Sequence, residues 1–159
     1  MNRAPNSQTP NVLPSTKDSL PVSLIRAREA VMAPIRKMLL RAGITEQQWR
    51  VLRVLSEHGK MDAGNLAKHA ALLPASLSRI VQSMETGGYL VRETDANDRR
   101  RQHINITDKG QSIINDHLFE ASEIAALFRN VLGEKDHDAL VALLQKLVRS
   151  LEDEQPWNR

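Results

Sequence analysis

Apolar residues recur along this chain at two periods, and the change from one to the other locates its elements. From about Ser19 to Ala42, residues Leu20, Leu24, Ala27, Val31, Ile35 and Met38 keep helical spacing, with Pro21 placed for a first turn. Pro34 falls inside that stripe, where a proline removes a hydrogen bond and crowds the preceding turn, so a kink or break is expected there. Thr45 and Gln48 then have the spacing of a capping box, and Ile44 and Trp49 that of a hydrophobic staple. Val51, Leu52 and Leu55 continue the buried face until Gly59. Asp62 reads as the N-cap of a short helix containing Leu66, Ala67 and Ala70.

The next stretch, from Pro74 to Thr107, organises the reading. Leu77, Ile80, Val81 and Met84 make one helix face apolar, Pro74 suits the first turn, and Gly87-Gly88 suits the stop. The opposite face carries Ser76, Ser78, Arg79, Gln82 and Ser83, short or forked side chains able to bond a phosphate or a base edge. Period-two alternation follows twice, from Tyr89 to Glu93 and from Gln102 to Ile106, and predicts two strands. The loop between them contains Asp98 and three consecutive arginines, Arg99, Arg100 and Arg101. Two short helices, the second with polar groups near its start, followed by a ribbon with a cationic tip, predict a winged helix-turn-helix. In that fold the second helix enters a major groove of double-stranded DNA and the tip reaches an adjacent minor groove. Thr107 caps a long helix striped by Ile113, Ile114, His117, Leu118, Ala121, Ile124, Ala125, Phe128, Val131 and Leu132. Gly133 ends it, and Leu140, Leu143, Leu144, Leu147 and Leu151 stripe a last one. The fold class expected is mainly α with a small β-wing.

Composition narrows the function. A chain of 159 residues with 7 glycines holds no phosphate-cradling loop and no nucleophile elbow, so catalysis is not expected. Zero cysteines exclude disulfides, thiolate metal sites and thiol redox sensing. Of the five histidines, His117 with Asp116 and Glu120 comes nearest to a metal cluster but lacks a second histidine at i+4, so no metal or other cofactor is expected. No apolar run reaches a membrane span and no export signal opens the chain, which makes the cytoplasm the expected compartment. Net charge is only +3, but its placement is informative: from Arg50 to Arg101 nine Lys/Arg face six Asp/Glu, and the thirteen of each that remain cancel. Residues 1–18, polar and proline-containing, read as a flexible arm. The terminal helices, 19–42 and 108–152, carry more apolar stripe than a small domain covers. They are therefore expected to pair in a homodimer, with 45–107 forming the winged domain.

The segments ITEQQWRVLRVLSEHG, NLAKHAALLPASLSRIVQSMETGGYLVRE and DRRRQHINITDKG resemble the multiple-antibiotic-resistance regulator (MarR) family of bacterial transcription factors. The resemblance covers residues 19–159 as one domain. The run RAREAVM, followed by TEQQWRVLRVL, resembles the branch regulating homoprotocatechuate degradation. The resemblance implies a homodimer that binds a pseudo-palindromic operator, acts as a repressor, and is released by a small aromatic or phenolic acid. Carried over by position, Ser76, Ser78 and Arg79 match recognition-helix contacts, and Arg100 matches a minor-groove arginine braced by Asp98. For an effector carboxylate and ring, Arg26, Trp49 and Arg50 are the candidates. The rival reading is a winged-helix protein–protein module without sequence-specific DNA binding, against which the Arg99–Arg101 tip argues.

Overall fold

The computed structural model describes residues 15–94 and 102–154. Within them, α1 spans Leu20–Ala42, α2 Glu46–His58, α3 Ala63–His69 and α4 Pro74–Thr86. Strands β1 (Leu90–Thr94) and β2 (Gln102–Ile106) follow, then α5 (Asp108–Leu132) and α6 (Glu134–Glu154). The chain divides into two compact units, 1–33 and 34–159, at a boundary inside α1. The break expected at Pro34 does not occur, because α1 is assigned as one helix through it.

In the larger unit three helix starts have a local side-chain cause. The Thr45 hydroxyl accepts from Gln48 N at 3.2 Å, and the Gln48 side chain accepts from Thr45 N at 2.9 Å, completing the capping box. Asp62 accepts from Asn65 N at 2.9 Å to start α3. Thr107 accepts from Gly110 N at 3.1 Å to start α5. Helix α4 is the exception, since Leu73 occupies its N-cap without a side-chain bond and Pro74 sits in the first turn.

One core joins these elements. Leu52 and Leu55 of α2, Leu66 and Ala67 of α3, and Leu77, Val81 and Met84 of α4 are buried together, closed off by Leu90, Ile104 and Ile114. Trp49 and Ile44, the staple pair, pack partly buried against it. Strands β1 and β2 pair antiparallel, with Leu90 opposite Ile106 and Thr94 opposite Gln102. The ribbon starts one residue later than the alternation suggests. The Tyr89 N–H is already committed to Met84 O at 2.9 Å, in the hydrogen-bonded turn that ends α4. Together with Gly88 N to Glu85 O at 2.9 Å and a Gly88 φ of 75°, this is a Schellman stop. A third, single-residue rung was not expected from the sequence: Met61 and Ile104 exchange both backbone bonds, at 3.2 and 2.8 Å.

The residues from Pro34 onward in α1 are tied to the rest of their unit by charge. Arg36 donates to Glu46 at 2.7 Å, and Arg41 pairs with Glu120 on α5. Among the described residues no helix is long and apolar enough to cross a membrane.

Gly110 is where α5 meets the ribbon most closely. A Cβ there would lie 2.4 Å from the Tyr89 carbonyl oxygen and 2.8 Å from Ile106 Cγ1. Backbone cannot swing aside as a side-chain tip can, so Gly110→Ala should destabilise the fold by about 1–3 kcal/mol, the usual range for overpacking. Urea denaturation monitored by circular dichroism measures this, and an unshifted midpoint would contradict the close approach.

Candidate nucleic-acid interface

Helix α4 has two unlike faces. Leu77, Val81 and Met84 are buried, whereas Ser76, Ser78, Arg79, Gln82 and Ser83 are all exposed. At about 100° per residue, Arg79 points almost directly away from the buried stripe, with Gln82 and Ser83 to either side of it and Ser78 and Ser76 on the two flanks. Among the described residues the Arg79 guanidinium takes no hydrogen bond or ion pair, so its forked donors stay available. Ser76, Arg79 and Ser83 also border an open groove whose far side is formed by Thr45, Gln47 and Gln48 at the start of α2.

The ribbon is anchored to this helix and to the loop before α3. Arg92 on β1 donates to Glu85 near the end of α4 at 2.9 Å. Glu93 receives Lys60 Nζ at 3.2 Å on one oxygen and Asn105 Nδ2 at 3.1 Å on the other. With the Met61–Ile104 rung, these contacts fix the base of the wing from three directions. Asp98, Arg99, Arg100 and Arg101, the tip residues singled out in the sequence, lie outside the described residues, between Thr94 and Gln102.

Of the three effector candidates, Trp49 and Arg50 turn to different sides of α2. Arg26 is exposed on α1 within the N-terminal unit. Trp49 lines a cavity of about 140 Å³ with Ile35, Met38, Ala121, Ile124, Ala125 and Phe128. The cation at that cavity is Arg53, not Arg50. Arg50 turns the other way, and its Nη1 donates to the Ala71 carbonyl at 3.1 Å. The reason is helical geometry: residues one apart on a helix diverge by about 100°, while residues four apart share a face. The i+4 spacing from Trp49 to Arg53 was the signal that sequence reading passed over. His117 has Nδ1 3.0 Å from the Ile113 carbonyl, one turn back on its own helix.

The Glu93 carboxyl is held below its ordinary value of 4.5, chiefly by the Asn105 amide and then by Lys60. A depressed carboxylate contributes stability that is complete above the unfolded value and disappears as pH falls through the lower folded one. The wing base should therefore loosen on the acid side only. Glu93→Gln should flatten the acid limb of the stability profile as pH falls below the ordinary value of 4.5, read from urea midpoints at each pH. An identical acid limb in the variant would show that this carboxylate does not matter.

The comparisons with known proteins agree with this geometry. The model of the MarR family matches residues 42–101, from the end of α1 to the residue before β2. The HTH-type transcriptional regulator FarR of Neisseria gonorrhoeae is 37% identical over 131 residues, covering 82% of this chain and 90% of its own. The homoprotocatechuate degradative operon repressor of Escherichia coli is 42% identical over 98 residues, 62% of this chain and 66% of its own, which accords with the branch resemblance. The crystal structure of NadR in complex with 4-hydroxyphenylacetate superposes with a TM-score of 0.74 at 36% identity, over 86% of this chain and 96% of that one. An exposed polar reading face on a core-anchored second helix, a braced ribbon beside it, and relatives of this similarity along most of their length lead to one conclusion: the chain belongs to the MarR family of winged helix-turn-helix transcriptional regulators.

Proposed function

We propose that this protein is a cytoplasmic homodimeric repressor that binds a pseudo-palindromic operator and is released from it by a small aromatic acid. The observation that carries the DNA half is the outward face of α4, where Arg79 stands exposed among Ser76, Ser78 and Gln82 on a helix held from behind by the core. Arg79 pairs with a base edge, most favourably guanine O6 and N7, and the serines and Gln82 bond phosphates or bases beside it. Arg100, flanked in sequence by Arg99 and Arg101, is the residue that this reading sends into the minor groove, with Asp98 as the brace that the family resemblance implies. The helices 19–42 and 108–152 form the dimer. Val131, Leu140, Leu143, Val148 and Leu151 on α5 and α6 are all at least 45% exposed, more apolar surface than a small monomer leaves in water. A two-fold axis through them sets two copies of α4 about one DNA turn apart.

The effector half rests on the Trp49 cavity. Its walls are aliphatic and aromatic, which suits a ring, and Arg53 supplies the cation that a carboxylate needs. NadR was crystallised with 4-hydroxyphenylacetate, and the Escherichia coli relative represses a homoprotocatechuate operon. A phenolic acid of that size and charge is the ligand class proposed here. It releases DNA by binding better to a dimer whose recognition helices are wrongly spaced, and a tenfold preference is worth about 1.4 kcal/mol.

Fluorescence anisotropy with an operator duplex tests both halves. Affinity should fall linearly with salt on logarithmic axes, and Arg79→Ala should lose about 1–3 kcal/mol and relax preference at one base pair. A flat salt response would remove the DNA-binding role. Hydroxyphenylacetates at millimolar concentration should lower operator affinity, and Arg53→Ala should blunt that response while leaving ligand-free binding intact. If no aromatic acid competes, the effector reading is wrong and the DNA reading stands.

A further inference from the structure

Two exposed cations near α4 make contacts that an ordinary phosphate-binding residue would not. Lys109, in the first turn of α5, places Nζ 2.7 Å from the carbonyl of Gly87, the C-cap of α4, and 4.6 Å above the centre of the Tyr89 ring. That carbonyl lies among those left without an intrahelical partner at a helix end, and an ammonium there also meets the negative end of the helix dipole. Beside it, the Thr107 hydroxyl donates to Gly88 O at 2.7 Å, and Thr107 N donates to Tyr89 O at 3.1 Å.

The other end of α4 is held in the same way. The turn between α3 and α4 passes through Ala71 at φ 50°, a left-handed conformation that disfavours any side chain. Arg50, on α2, donates to the carbonyl of that residue at 3.1 Å. Thus one cation from α2 binds the main chain just before α4, and one from α5 binds the main chain at its end.

We propose that Arg50 and Lys109 are positioning residues that grip the two ends of the recognition helix and set its orientation, rather than phosphate contacts. The proposal rests on the DNA-binding reading above. Both side chains direct donors at carbonyl oxygens of the turns that bracket α4. A helix with correct side chains but a tilted axis still meets phosphates through its charge, yet it loses its alignment with base edges. Specific binding therefore depends on the grip, and non-specific binding does not.

The test uses the full chain as Arg50→Gln, Lys109→Met and the conservative Lys109→Arg. Each is titrated, over a range of salt, against a duplex selected by the wild type from a random pool and against an unselected duplex. Operator affinity should fall about threefold to tenfold for Arg50→Gln and Lys109→Met, the scale of a charge-assisted hydrogen bond at a partly solvated site. Affinity for the unselected duplex and the salt slope should match the wild type, and Lys109→Arg should recover most of the loss. A salt slope lowered by about 1 with both duplexes weakened would identify a phosphate contact and overturn the proposal; so would unchanged operator affinity. Hydrogen exchange supplies a readout without DNA. Amides of Gly87, Gly88 and Tyr89 should exchange faster in Lys109→Met, and those of Ala71 and Leu72 faster in Arg50→Gln, at an unchanged thermal midpoint. Unaltered exchange overturns the grip even if the DNA titrations move. A wild type that selects no duplex defeats the DNA reading instead, with the exchange result still deciding the grip. If Lys109→Met fails to fold, Lys109→Gln carries the same measurements.

Discussion

The burial of Leu77, Val81 and Met84 is the constraint on which the rest of this structure turns. A helix of 13 residues has room for one such stripe, and giving it to the core leaves the opposite face nowhere to go but outward. That face is polar, and it is kept from rolling by its neighbours: α2 and α3 pack behind it, and Arg92 of the ribbon pairs with Glu85 near its end. Loss of the stripe would do more than cost hydrophobic energy, because each contact that orients Arg79 assumes that the helix is seated.

Around that seat the energetics divide between apolar burial and local satisfaction of backbone groups. Three helices begin on a side-chain cap, at Thr45, Asp62 and Thr107. Helix α4 does not. It begins on Leu73, which is 74% exposed, and on Pro74, so its start is fixed by the preceding turn rather than by a cap. The helix proposed to face DNA is therefore one whose first turn depends on tertiary support rather than on a side-chain cap. Its own sequence supplies the surface chemistry, and neighbouring elements supply its placement.

The extent to which the sequence was legible follows from the range of the interactions. Caps, stripes and stops act within a few residues, and α2, α3, α4 and α5 start where Thr45, Asp62, Pro74 and Thr107 signal. Pro34 does not end α1, because a single missing bond inside a 23-residue helix is a smaller perturbation than an isolated reading of proline suggests. The Met61–Ile104 rung was invisible because an isolated bridge has no periodicity to detect. At the candidate site, the outward residues of α4 followed from helical spacing alone. The exchange of Arg50 for Arg53 at the Trp49 cavity did not, since adjacency in sequence was given more weight than adjacency on the helix face. The bonds from Arg50 and Lys109 to main-chain carbonyls join residues 21 and 22 positions apart, beyond the reach of any local pattern.

Helices α2 and α5 each do two things: together they wall the Trp49 cavity, through Trp49 and Arg53 on one and Ala121, Ile124 and Phe128 on the other, and each sends one cation to an end of α4. No separate relay stands between the cavity and the reading face. For any molecule that occupies the cavity by displacing these helices, thermodynamic reciprocity then makes the exchange run both ways: the operator must loosen the protein's hold on the ligand by the same factor as the ligand loosens its hold on the operator. Under the proposed function, a promoter-bound dimer would thus be a poorer ligand trap than a free one.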